Sequence, residues 1–528
     1  MSRVFIGLDV GTQGTKGIAY HEGNQRVIAR ASASHGLLEN EENIPGRAEQ
    51  DPSVWVDAVK IVLSELGKVL KEDDLEISGI GVSGQQHGMV ALDEYNNVIR
   101  PAKLWCDVEA AKEASEISGI SDSFNIPAGF TAPKVLWMKR NEPCNWNKVR
   151  TIVLPHDYIN MVLQCDDYYQ NHDINKPIYL CNVSPKTDPG DASGTGYWDP
   201  KTRQYDRKLL EYIGLSNHDA VPTVLEFPNS ICGYLSNYWK HSILNISGEK
   251  QIPISAGSGD NMCSALGCGC VSPGTAILSL GTSATLFGKS LEPLQIKDSM
   301  VAPFADATGH YLPLVCTMNC TGVLQSILQS WFPPGTTHQA ASQLILDENV
   351  PAGCYGLLYL PFLNGERTPN WPHSTGALLG ITTQNVKYSS RPAVIYRAAM
   401  EGIAYGIADA MNELKRVSAS FDPQFLSVVG GGSKNVLWGQ ILADILQKNI
   451  FFSVESESAA LGAAFQVGAA VTKTDLSLYI QKQMLTIGYS ADHTESVQPI
   501  ENTTIKDVYR KGFANYLDIT RRMFGSTI

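Results

Sequence analysis

The chain has 528 residues and a formal net charge of −12, and its composition, 43% hydrophobic and 18% charged, is that of an ordinary globular protein rather than a disordered or fibrous one. This length exceeds what one core supports, so two domains are expected. The acidic balance excludes a nucleic-acid reader, which needs basic patches. With no apolar run of about 18 residues, and no secretory pattern in Met1-Ser2-Arg3-Val4, no membrane span is expected and the cytoplasm is the expected location.

In chain order, the apolar run 4–10 enters Gly11-Thr12-Gln13-Gly14-Thr15-Lys16 and a second apolar run, 17–20. This predicts a β-hairpin with a glycine and a hydroxyl at its bend. After a polar segment, Asp51 and Pro52 open a helix in which Trp55, Val59, Val62 and Leu66 recur at helical spacing. A buried strand over 77–82 closes at Ser83-Gly84-Gln85-Gln86-His87-Gly88. The Asp-, Asn- and Tyr-rich stretch 164–190 has no period and is expected as a surface insertion.

A domain boundary is expected near residue 255, dividing the chain into 1–255 and 256–528. The second half repeats the first in kind. The run 276–280 enters Gly281-Thr282-Ser283 and a further apolar run, 284–287. Strand 425–429 then leads into Gly430-Gly431-Gly432-Ser433-Lys434-Asn435 and a helix, with Ser433 the expected cap, and a last helix covers 505–523. Each half therefore reads as α/β, a mixed sheet covered by helices. The eleven cysteines show no paired metal-ligand spacing and read as small buried residues.

Two Gly-Thr turns of this kind can cradle one phosphate chain from both sides. Asp9 ends an otherwise apolar strand, where it either organises its own turn or holds Mg²⁺ beside phosphates. Lys16 either neutralises a phosphate or is simply solvated. Asp260 precedes a helix-like run, 262–267, so it is either a cap or the base that accepts a proton from an attacking alcohol. Gln85, His87, Trp105 and Asp107 offer donors, acceptors and an aromatic face suited to a polyol. Gly431, Gly432 and Asn435 form a strand-to-helix turn open to a nucleotide, without the spacing of either standard phosphate or dinucleotide motif.

The motifs Gly7-Leu8-Asp9-Val10-Gly11-Thr12, Gly84 to Gly88, Leu104 to Asp107, Gly129 to Trp137, Gly259-Asp260-Asn261, Leu278 to Ser283, Leu360 to Pro369 and the triple glycine follow one another in an order that resembles the FGGY carbohydrate kinases, most of all their xylulokinase members. The resemblance implies two ribonuclease-H-like lobes of the actin and hexokinase type around a central cleft. It implies an ATP- and Mg²⁺-dependent kinase of a small sugar, D-xylulose before D-ribulose or gluconate, acting as a monomer or homodimer without membrane or nucleic-acid partners. Asp260 matches the catalytic base and Asp9 the acidic group near Mg²⁺. Gly11, Thr12, Gln13, Lys16, Gly281 and Thr282 would line the phosphates, Gly431, Gly432 and Asn435 the adenosine, and Trp331 would touch the nucleotide. Gln85, His87, Trp105, Asp107, Asp260 and Asn261 would meet the sugar. The chain departs from its relatives at Gln86, at Val108-Glu109, in the 164–190 stretch and between residues 381 and 401. A silent ATP clamp is the competing reading, and it would predict loss of these acidic groups and turns.

Overall fold

A computed structural model describes residues 3–73, 75–121, 125–166, 183–217, 220–294, 299–452, 455–487 and 496–525. Most of the expected 164–190 insertion lies outside them. At its described end, Asp188 caps the short helix Pro189–Ala192.

The two halves build the same kind of sheet. In the first, Val4–Val10, Gly14–His21 and Arg26–Ser34 run antiparallel in succession, and Ile77–Gly84 lies parallel on the other side of Val4–Val10. Pro253–Ser255 then extends the sheet in parallel. In the second, Thr275–Leu280, Ala284–Gly288 and Tyr311–Thr317 form the antiparallel run, while Phe425–Val429 and Asn449–Phe452 continue in parallel. Three antiparallel strands followed by two parallel ones are thus used twice, a particular form of the mixed sheet the sequence leads one to expect in each half. The central strands are buried on both faces, which explains their unbroken Val, Ile and Leu runs.

Asp51 caps the helix Pro52–Glu72 by accepting from the Ser53 N–H, and Trp55, Val59, Val62 and Leu66 are buried in the N-terminal core. The long helix Pro392–Val417 fills the corresponding place against the second sheet.

The lobes are joined through two small-residue helices, Asp260–Gly267 and Ser458–Thr472. The second comes from late in the chain yet lies on Val4–Val10 and Ile77–Gly84 of the first sheet. Its approach is close enough that a Cβ on Gly81 would stand 2.0 Å from the Ala463 carbonyl oxygen, and one on Gly462 would stand 1.8 Å from that of Cys263. Strand Ser258–Gly259 still pairs with Ile77–Gly84, so the first sheet runs up to the residue before Asp260. Gly259, not Asp260, is the N-cap of the helix that follows.

Candidate active site

The first hairpin pairs Asp9 with Lys16 across its strands, and Gly11 N–H closes the bend on the Gly14 carbonyl at 3.1 Å. Asp9 is the one residue of its strand that is not fully buried, and Ser83 donates to its Oδ1 at 3.0 Å. Burial is the chief reason its carboxyl is pushed up to about 6. Lys16 does not neutralise it fully, because the ammonium is held by Glu457 at 2.8 Å.

Asp260 stands at the first turn of its helix. Its Oδ1 accepts from the backbone N–H and the Nδ2 of Asn261, at 2.8 and 3.1 Å. Asn261 Nδ2 also donates to Gln86 Oε1 at 2.8 Å, and Gln86 Nε2 is buried without a partner. Burial, then the like charges of Asp9 and Asp191, push Asp260 up to about 8. The Asp9 charge thus helps raise the proton affinity of Asp260. Carboxylate oxygens that repel one another suit a hard divalent cation, which Asp9 would hold together with phosphate oxygens.

His87 adopts a φ of 64°, unusual for a residue with a Cβ. Lys134, fully buried, holds it there by donating to the carbonyls of His87 and Gly129 at 2.8 and 2.6 Å. The imidazole stacks on Phe130 at 4.4 Å and reaches Phe304 of the other lobe at 5.5 Å. Its Nδ1–H donates to the Gly194 carbonyl at 2.7 Å. Burial and then the Lys134 charge push it down to about 3, so the ring is neutral and Nε2 is left as an acceptor.

Thr12 links the first turn to this side of the cleft. Its hydroxyl donates to Gln85 Oε1 and accepts from Trp105 Nε1, both at 2.9 Å. Gln50 donates to the Thr12 carbonyl at 2.7 Å and accepts from Gln85 Nε2 at 3.1 Å. The buried Gln85 amide is therefore engaged at both ends, and its Oε1 helps position Thr12. Asp107 also turns away from the cleft: it is fully buried and accepts from Lys103 Nζ at 3.1 Å and Ala48 N–H at 2.9 Å. Glu49, Asp107 and Glu109 form a carboxylate cluster, but Lys103 already fills it, at 2.9 Å from Glu49 and 2.6 Å from Glu109. Trp105 stays 42% exposed, and Gln13 is exposed at the bend.

In the second lobe, Gly281, Thr282, Gly431, Gly432 and Asn435 line one cavity of about 810 Å³. The turn is braced from behind, since Thr321 Oγ1 donates to the Gly281 carbonyl at 2.6 Å. Asn435, not Ser433, caps the next helix, accepting from the Trp438 N–H and donating to Ser342 Oγ at 2.9 Å. A Cβ on Gly431 would meet no protein atom within 4 Å, so packing does not demand glycine there, whereas close approach of a nucleotide would. Trp331 is not in this wall; it ends the helix Thr321–Trp331 with 44% of its surface exposed. The aromatic groups that do line the cavity are Trp438, on the helix after the triple glycine, and the pair His338 and Tyr396, joined at 2.6 Å. Neither of that pair has a sequence signal, because each sits on a helix whose period explains it equally well as packing.

Models of the two domains of the FGGY family of carbohydrate kinases match this chain, the N-terminal one over residues 4–267 and the C-terminal one over 276–471. The chain belongs to the FGGY family of carbohydrate kinases. A xylulose kinase of Haemophilus influenzae is 32% identical over 479 residues, covering 88% of this chain and 90% of its own. Among solved structures, a xyloylose kinase from Brucella ovis superposes with a TM-score of 0.84 at 26% identity, covering 98% of this chain and 99% of its own. A gluconate kinase from Lactobacillus acidophilus shares the fold, with a TM-score of 0.83 at 24% identity over 100% of this chain and 99% of its own. Within this two-lobed FGGY fold the second turn and the triple glycine share one cavity, and the Asp9 charge acts on Asp260. Among the described residues, no helix is long and apolar enough to cross a membrane.

Proposed function

We propose that this FGGY kinase transfers the γ-phosphoryl group of ATP to D-xylulose, giving D-xylulose 5-phosphate. The observation that carries the chemistry is Asp260. Its Oδ1 is held by Asn261, and burial with the like charges around it raises its proton affinity toward neutrality. Such a carboxylate accepts the proton of the sugar hydroxyl as that oxygen attacks phosphorus, and little other covalent chemistry is asked of the protein. The xylulose kinases similar over most of the chain support the sugar.

In this reading the half 1–255 supplies the sugar side and the first phosphate turn, and 256–528 supplies the base, the second turn and the adenosine cavity. His87 Nε2, Asn261 and the orphaned Gln86 Nε2 meet sugar hydroxyls, and Trp105 offers its ring. Gly11, Thr12, Gln13, Gly281 and Thr282 line the phosphates, while Gly431, Gly432, Asn435 and His338 receive the nucleoside. When bound, Mg²⁺ supplies charge neutralisation at the phosphates, and Asp9 is its protein ligand. The site lies between lobes, so closure on the sugar completes it and keeps ATP from water. The test is ATP turnover with D-xylulose, D-ribulose, L-xylulose, D-gluconate, glycerol and no sugar. Preference for D-xylulose is expected; a different best substrate moves the specificity question to Gln86 and Val108, and sugar-independent turnover alone refutes the kinase assignment.

A further inference from the structure

We propose that Arg367 is a further catalytic residue of this kinase, its guanidinium contacting the phosphoryl group during transfer. The idea rests on the kinase reading above. Arg367 sits on the turn of residues 363–371, whose backbone is unusually well anchored. The buried Glu366 carboxylate accepts from the N–H groups of Met318 and Arg367, both at 2.7 Å, and from Asn319 Nδ2 at 3.1 Å. Asn319 Nδ2 also donates to the Gly365 carbonyl at 2.6 Å. The partner segment is itself tied to the second phosphate turn, since Cys320 N–H donates to the Thr282 carbonyl at 3.1 Å and Thr321 N–H to that of Gly281 at 3.0 Å. Glu366 therefore fixes the base of Arg367 directly behind the nucleotide's phosphate end.

The Arg367 charge reaches groups on both sides. Its charge is felt at His87, on the sugar side of the cleft. It is also felt at Cys316, whose thiol meets Ser283 of the phosphate turn. Yet among the described residues the Arg367 side chain, only half-buried, has no hydrogen bond and no ion pair. Its one adjacent carboxylate, Glu366, spends its oxygens on N–H donors instead. An arginine fork without an ion pair among the described residues, on a segment tied to the second phosphate turn, fits a phosphoryl group, which presents planar arrays of anionic oxygens.

In the reaction, the sugar hydroxyl oxygen forms a bond to the γ-phosphorus. The bond from that phosphorus to the β–γ bridging oxygen breaks, and its electron pair leaves on the diphosphate. The hydroxyl proton passes to Asp260. Charge gathers on the equatorial oxygens in flight, and Arg367 stabilises it there.

The test compares the wild type with Arg367→Gln and Arg367→Lys. For Arg367→Gln we expect kcat to fall about 10²–10³-fold, the usual effect of losing one preorganised donor to a developing oxyanion. The Kd of the unphosphorylated sugar should stay within about twofold, and Arg367→Lys should recover part of the rate because its charge is kept. Without sugar present, the preference for a non-hydrolysable ATP analogue over ADP should shrink at least about tenfold in Arg367→Gln, since a charged hydrogen bond to the γ-phosphate is lost. Persistence of that preference overturns the proposal. So does weakening of free-sugar binding in step with kcat, or an equal loss in both variants with a lowered Tm, which would make Arg367 a sugar contact or a loop brace. Absence of wild-type turnover with every sugar would instead refute the kinase reading, while the nucleotide preference still reports on Arg367.

Discussion

The two phosphate turns are alike in sequence and in hairpin geometry but are wired to different partners. The first, around Gly11, has its Thr12 hydroxyl donating to Gln85 and accepting from Trp105 and carries Asp9 at its base, which in the proposed reaction would link it to the sugar side and to a cation. The second, around Gly281, is braced by Thr321 and opens into the cavity lined by His338 and Tyr396, which in the proposed reaction would receive the nucleotide. A duplicated device has thus been divided between donor and acceptor. The base, Asp260, stands on the short helix that joins the two, next to the close-packed Ser458–Thr472 helix.

Removing the shared element should have the largest effect. Asp260→Asn keeps the shape but not the basicity, and we expect turnover to fall at least about 10³-fold with sugar affinity little changed. Single-turnover phosphorylation and sugar titration check both parts, and near-normal turnover would remove Asp260 from its role.

The pH dependence ties Asp260 to the first turn. A carboxyl pushed up to about 8 is protonated, and useless as a base, below that pH. In the free enzyme kcat/KM should therefore rise with pH through about 8. Because Asp9 is the largest like charge acting on Asp260, Asp9→Asn should shift that rising limb to lower pH while raising the Mg²⁺ concentration needed for half-maximal rate. A limb that stays in place in Asp9→Asn would mean that the two carboxylates do not interact.

Breaking the wiring of each turn should separate their duties. Thr12→Val strands the Trp105 N–H and Gln85 Oε1, and we expect roughly a tenfold loss in kcat/KM for the sugar with a smaller loss of nucleotide affinity, in keeping with about 1–3 kcal/mol for an unpaired polar group. His338→Ala should do the converse, raising the ATP KM by about threefold to tenfold, the size of one aromatic contact, and sparing the sugar KM. If either variant moved both constants equally, the division of labour between the turns would be wrong.

Local pattern was enough for some of this and not for the rest. The buried strands, the Asp51-capped helix, both Gly-Thr bends and Asp260 beside its helix are legible because each is a short-range matter of apolar period, cap or turn chemistry. Trp331 and His338 show the opposite case. Both lie near the nucleotide side, and the indole is the better stacking group by type. The helix Thr321–Trp331 nevertheless ends with Trp331 outside the cavity wall, while the helix starting at His338 turns its first residue into it. Gln85 and Asp107 have polar side chains suited to a sugar, but Gln50, Lys103 and Ala48 use them first. Arg367 stands in a recognisable motif, yet its freedom from any counter-ion depends on Glu366 being claimed by backbone N–H groups.

The amino-acid order by itself determined two α/β sheets, two phosphate hairpins and an acidic group in each half, because periodicity and turn residues act over a few positions. Tertiary structure alone decided which polar groups face the cleft. That outcome depends on competition for hydrogen-bond partners among residues far apart in the chain, and on a late helix whose glycine and alanine surface lets it sit against the first sheet.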